Sequence, residues 1–158
     1  MALEFTDAEF DQVLQQARAL YAAIGPVHCP YFQGPVQFNA QGLEHLRRKT
    51  WNRGRERSDQ FMRLRHIVRA PEILSLSRTV QGVQAAHEWE RRRRHGRWER
   101  LLISVQYFEF VAVVKERRFK VIVKQLPGGE RVFWSLIPFW RQTGDGKRML
   151  HDGNPAVD

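Results

Sequence analysis

The spacing of apolar residues changes near Thr79, and this change limits the chain to few kinds of fold. Before Thr79 the apolar residues recur at intervals of three and four, which is the period of an amphipathic helix. After it the chain consists of short β-branched segments, and Leu126-Pro127-Gly128-Gly129 between two of them is typical of a hairpin turn. Helices first and antiparallel strands last predict an α+β domain, with N-terminal helices packed on a four- or five-stranded antiparallel β-sheet.

Local signals set the expected boundaries of these elements. Thr6 and Glu9 have the spacing of a capping box that begins the first helix, and Gly25-Pro26 ends it. Three prolines and two glycines predict a loop over residues 25–35. The further predicted elements are, in chain order, a strand at 36–38, a helix over 40–50 that Asn52-Arg53-Gly54 breaks, a helix capped by Ser58 or Asp59, a short helix over 70–76, and strands at 80–85, 98–107, 108–115, 118–125 and 131–137.

Composition divides the chain into three parts. Residues 1–34 hold an acidic amphipathic helix and a linker, and residues 35–141 hold the basic helices and the sheet. Residues 142–158 are rich in Gly, Asp, Asn and Pro and lack an apolar pattern, so we expect a disordered tail. Removal of residues 143–158 is then expected to leave stability nearly unchanged.

The charge is unevenly distributed. The chain of 158 residues carries a net charge of +9, and nine of the 23 residues from 47 to 69 are Lys or Arg while two are acidic. Residues 1–33, in contrast, carry four acidic residues and one arginine. Such a basic segment favours a nucleic acid, an acidic protein or an anionic membrane as its partner.

The number of cysteines and the hydropathy of the chain indicate in which cellular compartment the protein is expected. The single cysteine, Cys29, excludes an internal disulfide and a multi-cysteine zinc site. No apolar stretch approaches the roughly 20 residues of a membrane span, and no signal peptide pattern opens the chain. We therefore expect a cytoplasmic protein that has no membrane partner.

His45 and Lys49 are the first candidates for chemistry. On a helix over 40–50 they would be i,i+4 neighbours, so both side chains could contact one bound phosphate. An imidazole that titrates near neutrality can take a proton from a ribose 2′-OH or return one to the leaving oxygen. The alternative is a solvated pair on an exposed helix face.

Arginines form the second group of candidates. Guanidinium groups bind phosphate bidentately and can stabilise a pentacovalent transition state. Arg63 and His66 have i,i+3 spacing and are expected to share a face away from the apolar residues of their helix. We assign Arg63 to catalysis and expect the following residues to bind nucleic acid: Arg48, Arg53, Arg55, Arg57, His66 and Arg69.

Two further patterns lie in the strands. Ser135 interrupts an apolar strand, and alternation places it on one face with Phe133 and Ile137. Its hydroxyl could donate a hydrogen bond to a scissile phosphate, or it could be a packing compromise. The run 91–94, between Trp89 and Trp98, could hold phosphates and stack on bases, or it could be a solvated hairpin tip.

Several catalytic patterns are missing from the sequence. It has no Walker loop, no Rossmann glycine pattern and no HExxH or His/Cys metal spacing. Its carboxylates are not clustered as a two-metal nuclease requires. We therefore expect no metal and no cofactor, and the chemistry that these residues permit is metal-free transesterification through the RNA 2′-OH.

Taken together, residues 35–140 resemble the Barnase/EndoU/colicin/RelE-like superfamily of RNases, particularly its phage- and mobile-element-associated branch. The resemblance rests on the segment 35–46, the arginine-rich helix that reaches Ile73-Leu74, and the final segment 134–138. It implies two helices before a four- or five-stranded antiparallel sheet, and a metal-free endoribonuclease, often a toxin with an antitoxin or immunity partner. It also implies that His45 is the helix histidine, that Lys49 and one or more arginines from Arg53 to Arg63 bind phosphate, and that Ser135 is the polar residue of the last strand.

Two other functions fit the same residues. The sheet has no Glu/His couple of the barnase kind. A non-catalytic nucleic-acid-binding module would use the same basic helices to hold phosphate. A phage or mobile-element accessory protein with an acidic partner is the third alternative.

Overall fold

The computed structural model describes residues 4–138 and 154–158, and it confirms the predicted α+β class. Helices precede a four-stranded antiparallel sheet, as expected from the change of period. The elements are, in chain order, α1 (Asp7–Ala23), β1 (Val27–Cys29), β2 (Gly34–Val36), α2 (Ala40–His45), β3 (Arg48–Thr50), β4 (Arg53–Gly54), α3 (Arg57–Arg65), α4 (Arg69–Leu76), β5 (Gly82–Arg94), β6 (Arg97–Val114), β7 (Arg117–Gln125) and β8 (Arg131–Pro138).

The first helix forms as its sequence predicts. Thr6 N donates to Glu9 Oε2 at 2.7 Å and Glu9 N donates to Thr6 Oγ1 at 3.1 Å, so both hydrogen bonds of the capping box are present. These bonds provide acceptors for two backbone N–H groups that have no partner within the helix. The buried side chains of α1 follow the helical period and are Phe10, Leu14, Ala17 and Tyr21.

One large hydrophobic core lies between the helices and one face of the sheet. It includes Leu14 of α1, Leu64 of α3 and Leu74 of α4, packed with Val121 and Phe133 of the sheet. Burial of each such side chain contributes about 1.5–3 kcal/mol. Residues 4–34 thus share a core with the later helices and the sheet. A smaller apolar cluster on the opposite face of the sheet consists of Val105, Tyr107, Ile122 and Ile137.

The strands of the sheet follow one another as antiparallel neighbours in the order β5-β6-β7-β8. β6 pairs with β7 only from Gln106 to Val114, whereas its nine residues from Arg97 to Val105 pair with β5 alone. The stretch 86–105 is therefore a two-stranded projection from the sheet, which we call the arm. His95 and Gly96 form its turn with φ values of 51° and 75°, the positive values that a tight hairpin turn requires.

The predicted helix over 40–50 is wrong in its second half, because α2 ends at His45 and β3 begins at Arg48. Arg48 Nη1 donates to Trp51 O at 3.0 Å, and Thr50 Oγ1 donates to Asn52 Oδ1 at 2.8 Å. Both bonds close the turn between β3 and β4. The β-branched Thr50 and the aromatic Trp51 favour extended backbone, so the hairpin forms in place of further helix.

Other boundaries also differ from the predictions: β2 ends at Val36, where the predicted strand 36–38 begins, and β5 extends from Gly82 to Arg94 in place of 80–85. The predicted loop over 25–35 contains a small hairpin, in which β1 and β2 pair with Val27 opposite Val36. Neither Ser58 nor Asp59 caps α3, because the helix begins at Arg57 and its N-cap is Glu56. The two strands predicted over 98–115 are one continuous strand, β6.

The expectation of a disordered tail is wrong for residues 154–158. Val157 N and Asp158 N both donate to Asn154 O, at 3.1 and 3.0 Å, and close a turn. Trp134 Nε1 donates to Pro155 O at 3.1 Å, which fixes this segment to β8. Hydrogen bonds therefore hold residues 154–158 against β8, although these residues lack an apolar pattern. Residues 142–153 lie outside the described part of the chain.

Candidate functional site

Arg63 joins α3 to the last strand. Its side chain is 1% exposed; Nε donates to Asp59 Oδ1 at 2.5 Å and Nη1 donates to Ser135 Oγ at 2.8 Å. Asp59 and Arg63 are i,i+4 neighbours on α3, so both point towards β8. A guanidinium group at this depth needs such partners, because an unpaired buried charge is costly.

Arg55, which follows β4, lies beside this pair and connects it to α2. Its Nε donates to His45 O at 2.9 Å, and its Nη2 lies 3.0 Å from His45 Nε2. Its Nη1 lies 3.7 Å from Asp59 Oδ2, so one carboxylate pairs with two buried guanidinium groups. The hairpin of β3 and β4 places Arg55 here by returning the chain from α2 towards α3.

His45 is buried and neutral in this arrangement. Its ring stacks on Trp134 with 4.2 Å between the ring centroids. A guanidinium group can only donate, so Nε2 accepts from Arg55 and the proton is on Nδ1. Burial, with the positive charges of Arg55, Arg63 and Lys124 added, lowers the pKa of His45 to about 2. The expectation that this imidazole titrates near neutrality is therefore not met.

Three donors meet at one oxygen from the segment 154–158. Arg55 Nη2 donates to the main-chain oxygen of Asp158 at 3.1 Å, Ser135 Oγ donates to it at 2.8 Å, and Arg63 Nη1 also donates to it. We call Arg55, Arg63 and Ser135 the three-donor site. Two cationic donors and a hydroxyl aimed at one oxygen form the environment that an oxygen of phosphate or carboxylate accepts best.

A basic groove adjoins the three-donor site. It is open to solvent, has a volume of about 300 Å³, and shares His45 with the buried cluster. Trp51 lies at its wall and is 87% exposed. The groove is defined by six of its lining residues, His45, Arg48, Lys49, Trp51, Lys124 and Trp134. Its lining thus combines three cationic side chains and two indoles with one carboxylate, that of Glu44.

The structure brings four of the predicted site residues into contact and leaves two more nearby. His45, Arg55, Arg63 and Ser135 form one connected set of hydrogen bonds. Arg48 and Lys49 line the groove, and Arg48 also pairs with Glu44 at 3.0 Å. The predicted i,i+4 relation of His45 and Lys49 is wrong, because they lie on α2 and β3, but both line the groove.

Four predicted nucleic-acid contacts lie outside this cluster. His66 packs against Phe119 with 5.3 Å between ring centroids, so it does not share a face with the buried Arg63 as predicted. Arg69 pairs with Glu72 at 2.7 Å. The remaining two are Arg53, exposed on β4, and Arg57, which pairs with Asp7 of α1 at 2.8 Å.

The side of β8 that Ser135 faces also differs from the prediction. Val123 pairs with Phe133 and Ile122 pairs with Ser135, so Trp134 is an extra residue in β8 and forms a bulge. The bulge reverses the alternation after Phe133. Phe133 consequently packs in the large core, whereas Ser135 turns towards Arg63.

Sequence reasoning missed five residues of the site, one of which is Trp51 in the turn between β3 and β4. Asp59 could have been found, because its i,i+4 spacing to Arg63 is visible in the sequence. Lys124 and Trp134 reach the groove only through the pairing of β7 with β8 and its bulge. Asp158 lies 95 residues from Arg63 along the chain, and no local pattern indicates their contact.

Gly42 allows α2 to lie against β8 and Tyr21. A Cβ atom at Gly42 would lie 2.5 Å from Phe133 O and 2.6 Å from Tyr21 OH. We expect Gly42→Ala to lower the free energy of unfolding by about 1–3 kcal/mol, because neither the strand backbone nor the buried ring can move freely. Gly54→Ala is the matched control, since a Cβ there meets nothing within 4 Å. Equal urea midpoints for the two variants would contradict the close packing of α2.

Among residues 4–138 and 154–158, no group of three or more His, Cys, Asp or Glu side chains could hold a metal ion. In the same residues, no helix is both long enough and apolar enough to cross a bilayer.

Comparisons of the chain with protein-family models, with curated proteins and with solved structures found no match. The resemblance to RNases therefore stays a prediction from sequence pattern. The fold and the site together define a basic α+β domain with a buried three-donor site beside an open cationic groove.

Proposed function

We propose that the protein binds single-stranded RNA and that the three-donor site holds one of its phosphate groups. The observation that carries this proposal is the convergence of Arg55, Arg63 and Ser135 on one oxygen of residue Asp158. A phosphate oxygen in the place of that main-chain oxygen would receive the same three hydrogen bonds. Charge-assisted bonds from two guanidinium groups are among the strongest that a phosphate receives in proteins.

The groove supports RNA over other anionic partners. Lys49 can neutralise a phosphate near the bound one, and Arg48 and Lys124 can do so where phosphate displaces their partners Glu44 and Glu88. Trp51 offers an exposed ring for an unstacked base. Lys124 Nζ lies 4.3 Å from the centre of the Trp134 ring, so a positive charge and an aromatic ring lie side by side in the groove. Single-stranded nucleic acid presents phosphates and flat bases together, whereas an acidic protein presents only the charge. We place this activity in the cytoplasm, as the sequence predicts.

The segment 154–158 competes with RNA in this proposal. Its main-chain oxygen occupies the three-donor site, and Trp134, which it also contacts, forms part of the groove. The apparent affinity for RNA then equals the intrinsic affinity multiplied by the fraction of molecules in which the segment 154–158 has left the three-donor site.

Lys49→Ala tests the groove. We expect weaker binding of a labelled RNA oligonucleotide, and a slope of log affinity against log salt that is smaller by about 0.7, because one fewer counterion site on a single strand is neutralised. Arg18→Ala is the matched control, since it removes one charge from an exposed position on α1. The measurement is a fluorescence anisotropy titration at a series of salt concentrations. A salt-independent affinity, or equal slopes for the two variants, would refute the proposal.

Metal-independent cleavage of RNA is the second candidate. Arg55 Nη2 contacts both His45 Nε2 and the Asp158 oxygen, so a phosphate in the three-donor site would place its ribose near an imidazole. Burial is the main cause of the low pKa of His45, and the charge of the phosphate would offset the smaller contribution of the nearby cations. An antitoxin or immunity partner would belong to this candidate.

The same titration distinguishes cleavage from binding alone. RNA recovered from the EDTA-containing mixture is examined for shorter products with 2′,3′-cyclic phosphate ends. Such products, formed by the unchanged protein and lost in His45→Gln, would establish cleavage with His45 as an acid–base residue. Intact RNA in every sample would leave binding as the function, and products that form only after metal is restored would reject the metal-free mechanism.

A further inference from the structure

The arm has two faces of different charge. Directly paired residues of an antiparallel ladder share a face, so the pairs Arg91–Arg100 and Trp89–Leu102 lie on one side. We call this side the acid-free face, since it carries no Asp or Glu along the arm. Its residues, from base to tip, are His87 and Ser104, Trp89 and Leu102, Arg91 and Arg100, and Arg93 and Trp98.

The acidic residues of the arm all lie on the opposite face. Glu88 pairs with Lys124 at 2.7 Å and accepts from the Tyr107 hydroxyl, and Glu90 pairs with Arg92 at 2.6 Å. That face also includes Ile103, which packs against the smaller apolar cluster of the sheet. Glu88 and Glu90 therefore pair with groups of this chain, and the acid-free face is left towards solvent.

Indoles and guanidinium groups alternate on the acid-free face. The guanidinium carbon of Arg91 lies 5.0 Å from the ring centre of Trp98, and that of Arg100 lies 5.1 Å from the ring centre of Trp89. Trp89 and Trp98 are 63% and 60% exposed and belong to neither hydrophobic cluster. Large aromatic side chains held by cations outside any core are available for an external ligand.

We propose that the acid-free face binds single-stranded RNA as a second site, separate from the groove. Bases stack on Trp89 and Trp98, and the flanking phosphates contact Arg91, Arg93 and Arg100. Residues two apart on a strand are separated by about 7 Å, so the face repeats charge and ring over a short distance, as a nucleic-acid strand repeats phosphate and base. This inference goes beyond the proposed function, because it needs neither the three-donor site nor the groove.

A membrane surface fits the arm less well. Insertion into a bilayer requires the apolar side chains to lead, with the cations behind them at the headgroups. Here the tip carries Arg93, Arg94, His95 and Arg97, and the indole of Trp89 lies nearer to the base. Burying the tryptophans in lipid would also bury the charged tip.

The test uses the whole chain and a fluorescein-labelled oligouridine of about 12 nucleotides, a length typical of single-strand sites. The double variant Trp89→Ala, Trp98→Ala is expected to lose about tenfold in affinity for each base that no longer stacks. Arg100→Ala is expected to weaken binding, while the matched control Arg92→Ala, on the opposite face, leaves affinity nearly unchanged. Circular dichroism and the urea midpoint verify that each variant folds.

The outcomes separate this inference from the proposed function. Unchanged affinity of the folded double tryptophan variant, or equal losses for Arg92→Ala and Arg100→Ala, would overturn it. The inference would also be overturned if the double tryptophan variant bound vesicles of phosphatidylserine and phosphatidylcholine more weakly than the unchanged protein but bound RNA equally well. Losses in the arm variants without any effect of Lys49→Ala would uphold the arm and reject the groove. Additive losses in a combined variant would support two separate sites.

Discussion

Arg63→Ala is expected to lower the free energy of unfolding by about 3–5 kcal/mol, because removal of one partner leaves a buried charge without its closest counterion. Asp59 would keep only Arg55, whose Nη1 lies 3.7 Å from it in place of the 2.5 Å bond from Arg63. Ser135 would also lose a hydrogen-bond partner at a site that is fully buried. A loss of this size exceeds half the stability of many domains, so reduced solubility on expression should accompany it.

Arg65→Ala is the control for this prediction, because Arg65 is exposed on the same helix and the change in charge is identical. Urea denaturation followed by circular dichroism gives the free energy of unfolding for both variants. Equal stability of the Arg63 and Arg65 variants would mean that Arg63 does not hold α3 to β8.

Acidification is expected to destabilise the protein well above the pH range in which carboxylates titrate. The pKa of His45 is about 2 in the folded chain, below its ordinary value of 6.5, so the unfolded state binds the proton first. The stabilisation is therefore complete above pH 6.5 and is lost as the pH falls towards 2. Between pH 7.5 and pH 5 this linkage amounts to about 2 kcal/mol. Burial and nearby arginines also lower the pKa of His66, to about 4, which acts in the same direction.

Urea midpoints measured at intervals from pH 7.5 to pH 5 test this prediction. His45→Gln should flatten the dependence, because glutamine can accept from Arg55 but does not titrate in this range. His95→Gln at the exposed turn of the arm should leave the dependence unchanged. A flat profile for the unmodified chain would show that the ring of His45 is accessible to protons in the folded state.

The fold class and the first helix could be predicted because both depend on local pattern. Period and capping chemistry act over a few residues, so the bounds of α1 and the existence of β7 and β8 follow from the sequence. The helix predicted over 40–50 failed where Thr50 and the following turn residues compete with helical backbone. There the helical spacing of the sequence and its turn-forming residues favoured different structures, and the β3–β4 hairpin formed.

The candidate site shows a different limit. Residue type drew attention to His45, Arg63 and Ser135, which the structure brings together, but the geometry predicted for them was wrong. Their contact depends on a bulge at Trp134 and on a hairpin between α2 and α3, neither of which leaves a clear pattern. The charge state of His45 could not be predicted either, because burial is the main cause of its low pKa, and burial follows from the assembled fold.

The unbroken course of β6 has a mechanical consequence. Its first half belongs to the arm, and in its second half Gln106–Glu109 pair with β5 and β7 at once, so the arm continues the sheet without a break in the strand. Nine residues of extended strand reach about 30 Å beyond the sheet. Glu88 at the base of the arm, on the side opposite the acid-free face, pairs with Lys124 of the groove, so the base of the arm adjoins the groove. If RNA binds both surfaces, the contour length of the RNA, rather than its base sequence, decides whether one molecule can contact the groove and the acid-free face together.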